Sequence, residues 1–86
     1  MEDNNFMHMQ LKQQGSIFGT RPMAHRVFDD VQTNTPLILD FSGVQMASSS
    51  FLHETMLIFK KKSTEIKMQN MSDAIKLQYA KAIREI

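Results

Sequence analysis

Seventeen residues, Pro36 to Leu52, constrain the fold more than any other part of the chain: PLILDFSGVQMASSSFL. They begin with the apolar run Leu37-Ile38-Leu39. A run that short, bounded by turn residues, reads as a strand covered on both faces. Asp40 ends it, Ser42-Gly43 turns the chain, and Ser48-Ser49-Ser50 opens an apolar stretch with helical spacing. The order is buried strand, polar loop, serine cluster, helix. In open α/β sheets, ligand and partner sites collect at the carboxyl ends of strands. This loop is therefore expected to carry the function, and its residue types suit binding and regulation better than chemistry.

The flanking segments supply the remaining elements. Residues 1–5 are expected to be frayed. Met7, Met9 and Leu11 alternate with His8, Gln10 and Lys12, the period of a half-buried strand. Gln13-Gln14-Gly15 is a turn, and Ser16-Ile17-Phe18 is a short strand placed to pair back as a hairpin. Thr20 suits an N-cap, and Pro22 is tolerated in a first helical turn. Met23, Val27, Phe28 and Val31 share one face of that helix, which should end by about Gln32, with Thr33 to Pro36 as the turn into the central strand. Ser48 or Ser49 caps a second helix whose apolar side is Phe51, Leu52, Met56 and Phe59. Leu57 and Ile58 add apolar surface elsewhere on it, and Lys60-Lys61-Lys62 complements the negative end of its dipole. After Ser63-Thr64, the alternation of Ile66 and Met68 with Lys67 and Gln69 predicts a half-exposed strand, reached by a right-handed crossover and parallel to the central one. Ser72 caps a third helix with the stripe Ile75, Tyr79, Ala82, Ile83 and Ile86, and Leu77 lies off the stripe. The expected fold is α/β: one domain over residues 1–86, with a mixed sheet of about four strands and three helices in the order β-β-α-β-α-β-α.

A chain of 86 residues supports a single core. It has no cysteine, which excludes disulfides and thiolate metal sites. No apolar run approaches the roughly 20 residues of a membrane span. The acidic start Met1-Glu2-Asp3 lacks the basic and apolar regions of a secretory leader. A cytoplasmic protein with no membrane partner is expected. The net charge of +1 is unevenly spread: residues 1–59 carry three basic and six acidic side chains, residues 60–86 seven basic and three acidic.

Asp40-Phe41-Ser42-Gly43-Val44, followed by Ser48-Ser49-Ser50-Phe51-Leu52 and Glu54, resembles the STAS-like domains of unknown function of bacteria and, more distantly, the STAS domains of anti-sigma factor antagonists. Gly19-Thr20-Arg21-Pro22-Met23-Ala24 and Ile66-Lys67-Met68-Gln69-Asn70-Met71-Ser72 extend the resemblance over roughly residues 15–86. It implies a small STAS-like domain. In anti-sigma factor antagonists, the serine opening the helix after this loop is phosphorylated by a kinase with a histidine-kinase-like ATPase fold. Ser49 falls on that serine, so the resemblance implies Ser49 as a phosphorylation position and such an ATPase as a partner class. The chain departs from the pattern on both sides of it, with Ala47 in place of an acidic residue and Ser50 in place of a glycine.

The expected partner-binding set is Asp40, Ser42, Ser48, Ser49, Ser50, Phe51 and His53. The serines also suit a simple helix cap, and Asp40 suits a loop cap that binds backbone N–H groups near Ser42 and Gly43. No enzyme is expected. Ser49 and His53 share a helix face but lack a third group and an oxyanion hole. His8, His25 and His53 lie on three elements without ligand spacing, so no metal is expected. Gly15, Gly19 and Gly43 match no phosphate loop, and no cofactor is expected. Eight methionines are many for this length. Most suit core positions, and an exposed group near Met46 and Met56 would favour a docking face. Two other binding modes remain open: nucleic-acid association through Lys60, Lys61, Lys62, Lys67, Lys76 and Lys81, and a homodimer through Leu57, Ile58 and Leu77.

Overall fold

The computed structural model describes residues 6–31 and 35–85. Expectations placed on residues 1–5, on the turn at 32–34 and on Ile86 lie outside the described residues. In chain order the elements are β1 (Met7–Gln10), β2 (Ile17–Phe18), α1 (Arg21–Phe28), β3 (Leu37–Asp40), β4 (Met46–Ala47), α2 (Ser49–Lys61), β5 (Ile66–Gln69) and α3 (Asp73–Arg84), with a short 3-10 turn at Leu11–Gln14.

β3 is the middle strand of a three-stranded sheet ordered β1-β3-β5, with both neighbours parallel. Leu37 stands opposite Met7 and Ile66, and Leu39 opposite Met9 and Met68. Leu37, Ile38 and Leu39 are buried, as a strand covered on both faces requires. Because side chains alternate, Leu37 and Leu39 join the main core while Ile38 points to the other face, between His8 and Lys67. On that second face the Lys67 ammonium lies 4.8 Å from the centre of the Phe6 ring.

The expected hairpin does not form, and the sheet is not mixed. β1 ends at Gln10, and the 3-10 turn carries Leu11 into the core, where it is fully buried. β2 then pairs with β4, parallel, in a separate two-stranded sheet, Ile17 opposite Met46 and Phe18 opposite Ala47. The architecture is three helices with two sheets of parallel strands, three plus two. β4 was not foreseen, because two residues carry no periodicity. β1 is an edge strand, and of its apolar residues Met9 packs on the core while Met7 is exposed.

Each helix begins where a side chain can accept an orphan N–H. Thr20, Ser48 and Ser72 accept from Met23, Phe51 and Ile75, at 3.3, 3.1 and 3.2 Å. α1 stops at Phe28, a turn earlier than expected. The Lys62 ammonium donates to the carbonyls of Phe28, Asp29 and Val31 at 3.2, 2.7 and 3.3 Å, satisfying that end. The centre of the core is aromatic. The Phe51 ring lies 5.0 Å from Phe18 and 5.9 Å from Phe28, and Phe28 meets Phe59 edge-on at 5.2 Å. Burial of each such side chain stabilises the fold by roughly 1.5–3 kcal/mol. Ile58, expected as extra surface on α2, is buried in this core. Leu77 lies off the buried stripe of α3, as expected, and Ile83, counted on the stripe, is half exposed. Among the described residues no helix is long and apolar enough to cross a membrane.

Candidate functional site

The loop after β3 is a tied structure. The Asp40 carboxylate accepts the Ser42 backbone N–H and the Asn70 side-chain amide through the same oxygen, each at 2.9 Å. The Asn70 amide, then the Ser42 N–H, hold the Asp40 carboxyl below its ordinary value. Asn70 supplies that amide from a left-handed conformation with φ of 61°, which asparagine tolerates better than most residues. The loop cap on Asp40 is therefore as expected at Ser42, and the link to the end of β5 is additional. Gly43 has φ of 80°, and a Cβ there would lie 3.4 Å from the Lys12 stem. Phe41 and Val44 are buried beneath the turn, which leads directly into β4.

The three serines have three different environments. Ser48 is the N-cap of α2: its hydroxyl accepts the Phe51 N–H and donates to the Gly19 carbonyl at 3.0 Å, pinning the helix start to the end of β2. Ser49 is the first residue of α2. Its backbone N–H donates to Gln78 Oε1 of α3 at 3.3 Å, while its partly exposed hydroxyl has no hydrogen-bond partner among the described residues. Ser50 is exposed. Phe51 is fully buried, and its side chain belongs to the core. His53 turns away from the serines and meets Arg21. Asp40, Ser42 and the serines thus remain surface features of one strand-to-helix connection, and Phe51 and His53 leave that group.

Beside the serines lies a groove of about 280 Å³ between β4 and α3. Met46, Ala47 and Ser48 line one side, and Ala74, Ile75 and Gln78 the other. Met46 is 41% exposed, and its register partner Ile17 is 54% exposed, so the apolar surface continues beyond the groove rim. Of the two methionines expected near a docking face, Met46 lines the groove and Met56 is half buried against the core. The contribution of Ala74 and Gln78 was not legible in the sequence. Their only signal was membership of the α3 helical row one step from the buried Ile75.

A second polar cluster joins α1 to α2. Arg21 Nη1 lies 2.9 Å from Glu54 Oε1 and 2.8 Å from His53 Nδ1. His25 Nε2 lies 2.7 Å from Glu54 Oε2, and its Nδ1 lies 2.9 Å from Asp29. Glu85, just past α3, stands 3.9 Å from Arg21 and 3.8 Å from His53. The spacing of Arg21, His25 and Asp29 along one helix face was the available signal. Among the described residues no group of three or more His, Asp or Glu side chains is arranged to hold a metal ion.

The lysines of the C-terminal third do not form one surface set. Lys62 is committed to the end of α1 and Lys67 to the Phe6 ring, while Lys60, Lys61, Lys76 and Lys81 are exposed. Of the residues named for a homodimer, Leu57 and Leu77 are exposed and Ile58 is not.

A family model described as a STAS-like domain of unknown function matches residues 23–76, from α1 into the start of α3. No curated protein and no solved structure matches the chain.

Proposed function

Because the chain belongs to the family of STAS-like domains of unknown function, we propose that it is a small protein-interaction and regulatory module. It binds an apolar segment of a protein partner in the groove between β4 and α3, beside the start of α2. The observation that carries this reading is the open groove floored by Met46, Ala47 and Ile75, continued by exposed Ile17, with the Ser49 hydroxyl beside it. An exposed apolar surface bordered by polar side chains is the usual form of a protein contact. Phosphorylation of Ser49 would switch it. A phosphate there gains from the positive end of α2 but adds about two negative charges beside an apolar contact, which disfavours docking. A histidine-kinase-like ATPase is the partner class that the resemblance to anti-sigma factor antagonists suggests. The role is binding, without catalysis.

The test is capture of partners by the tagged chain in its native cells, with Met46→Asp beside the wild type and Ile83→Asp as a surface control away from the groove. A stoichiometric partner retained by the wild type and Ile83→Asp but lost by Met46→Asp and Ser49→Asp is the expected result. A partner held equally by all four chains, or none at all, would sink the reading.

A further inference from the structure

The cluster between α1 and α2 lies outside the groove, and its two histidines require opposite protonation states. Glu54 is held below the ordinary carboxylate value, by its bond to His25 first and then by Arg21, so it is an anion that only accepts. His25 meets that anion through Nε2 and Asp29 through Nδ1, at 2.7 and 2.9 Å. Both ring nitrogens must therefore carry protons, which makes the ring an imidazolium. The two carboxylates, Asp29 before Glu54, in turn raise the His25 pKa above 6.5. His53 is the reverse case. Its Nδ1 stands 2.8 Å from Arg21 Nη1, and a guanidinium nitrogen only donates. Nδ1 must be bare, with the single proton on Nε2. The ionisable groups facing the two rings are Arg21 from α1, Asp29 at its C-cap, Glu54 from α2 and Glu85 beyond the end of α3.

We propose that this network is a protonation-sensitive clasp between α1 and the first turns of α2, fully bonded only while His25 is charged and His53 is neutral. Loss of the His25 proton leaves one ring nitrogen facing a carboxylate with no hydrogen between them, and the ring loses either its bond to Glu54 of α2 or its bond to Asp29 at the end of its own helix. A second proton on His53 sets donor against donor at Arg21. The ring then turns towards Glu85, 3.8 Å away, and Arg21 is released. His53 and Glu54 lie one turn beyond Ser49 and Ser50, so either change reaches the helix start that borders the groove. That partner binding would share this pH window rests on the docking reading; the clasp itself does not.

Imidazole nitrogen NMR on the full chain, titrated from about pH 5 to 8.5, reads both rings directly. The expected wild-type result is a His25 midpoint above 6.5 and a neutral His53 ring in the Nε2–H form. Glu54→Gln should lower the His25 midpoint. His53→Gln, which keeps an acceptor for Arg21, should leave the His25 titration in place and remove any response of the Ser50 and Phe51 amide signals that follows the His53 ring. A His25 midpoint at or below 6.5, one indifferent to Glu54→Gln, or a neutral His53 carrying its proton on Nδ1 would overturn the proposal. No partner is present in these measurements, so they fail or succeed independently of the Met46→Asp capture.

Discussion

Ser48 and Ser49 are neighbours of the same residue type, yet the fold uses them differently. The Ser48 hydroxyl makes two bonds, one to the helix it caps and one to the end of β2. Ser48→Ala should cost about 1–2 kcal/mol, because it removes a cap and leaves the Gly19 carbonyl short of a donor. Ser49→Ala should stay within about 0.5 kcal/mol of wild type, since its helix contact is through the backbone N–H. Urea unfolding of the two variants checks the pair, and equal losses would contradict the assignment of the cap. Asp40 gives a residue-scale prediction in pH. Its folded pKa is depressed, so its bonds to Asn70 and Ser42 stabilise the protein above the unfolded value near 3.8 and are lost as pH falls through the lower, folded value. The stability gap between wild type and Asp40→Asn should be full at neutral pH and should close in acid.

At the scale of elements, Lys62 shows how a local pattern can be right in kind and wrong in address. Lys60-Lys61-Lys62 suits the negative end of α2, and Lys60 and Lys61 do lie in its last turn. Lys62, however, reaches the open carbonyls of α1. Lys62→Met should cost about 1.5–3 kcal/mol, as for hydrogen bonds from a charged donor, with faster amide exchange in the last turn of α1. The α1–α2 clasp has its own pH signature. Because the folded pKa of His25 is raised, its contribution is fully present below the unfolded value of 6.5 and disappears as pH rises through the folded value. Thermal unfolding of wild type and His25→Gln should therefore differ most on the acid side of that step and converge above it. Both side chains of the His25–Asp29 pair are exposed to solvent, so the difference should be modest and reduced by salt.

For the whole molecule, Phe51 outweighs any surface residue. It is fully buried between Phe18 and Phe28. Phe51→Ala should cost about 3–5 kcal/mol, a large share of the roughly 5–15 kcal/mol available to a domain. Calorimetry should show a lowered or broadened transition. Any loss of partner binding in that variant would report damage to the core, which is why Met46 is the informative position for the groove. The residues that form the groove are distant in sequence, with β4 and α3 brought together as α3 packs against α2 and β4.

The elements themselves were legible because their signals are local. The buried run Leu37–Leu39, the alternation at Ile66–Gln69 and the caps Thr20, Ser48 and Ser72 depend on neighbours within a few residues, and the structure has each of them. The family resemblance and the loop cap on Asp40 were legible for the same reason, being carried by short fixed spacings. Only the tertiary structure decided what pairs with what. The turn that buries Leu11 sends β2 to β4 instead of back to β1, and sets β1 parallel to a strand about thirty residues later. Tertiary packing also buried Phe51, moved His53 away from the serines to Arg21, and carried Lys62 across to α1. Strand partners and side-chain addresses depend on which surfaces lose water together, and an 86-residue sequence does not express that in its local periodicity.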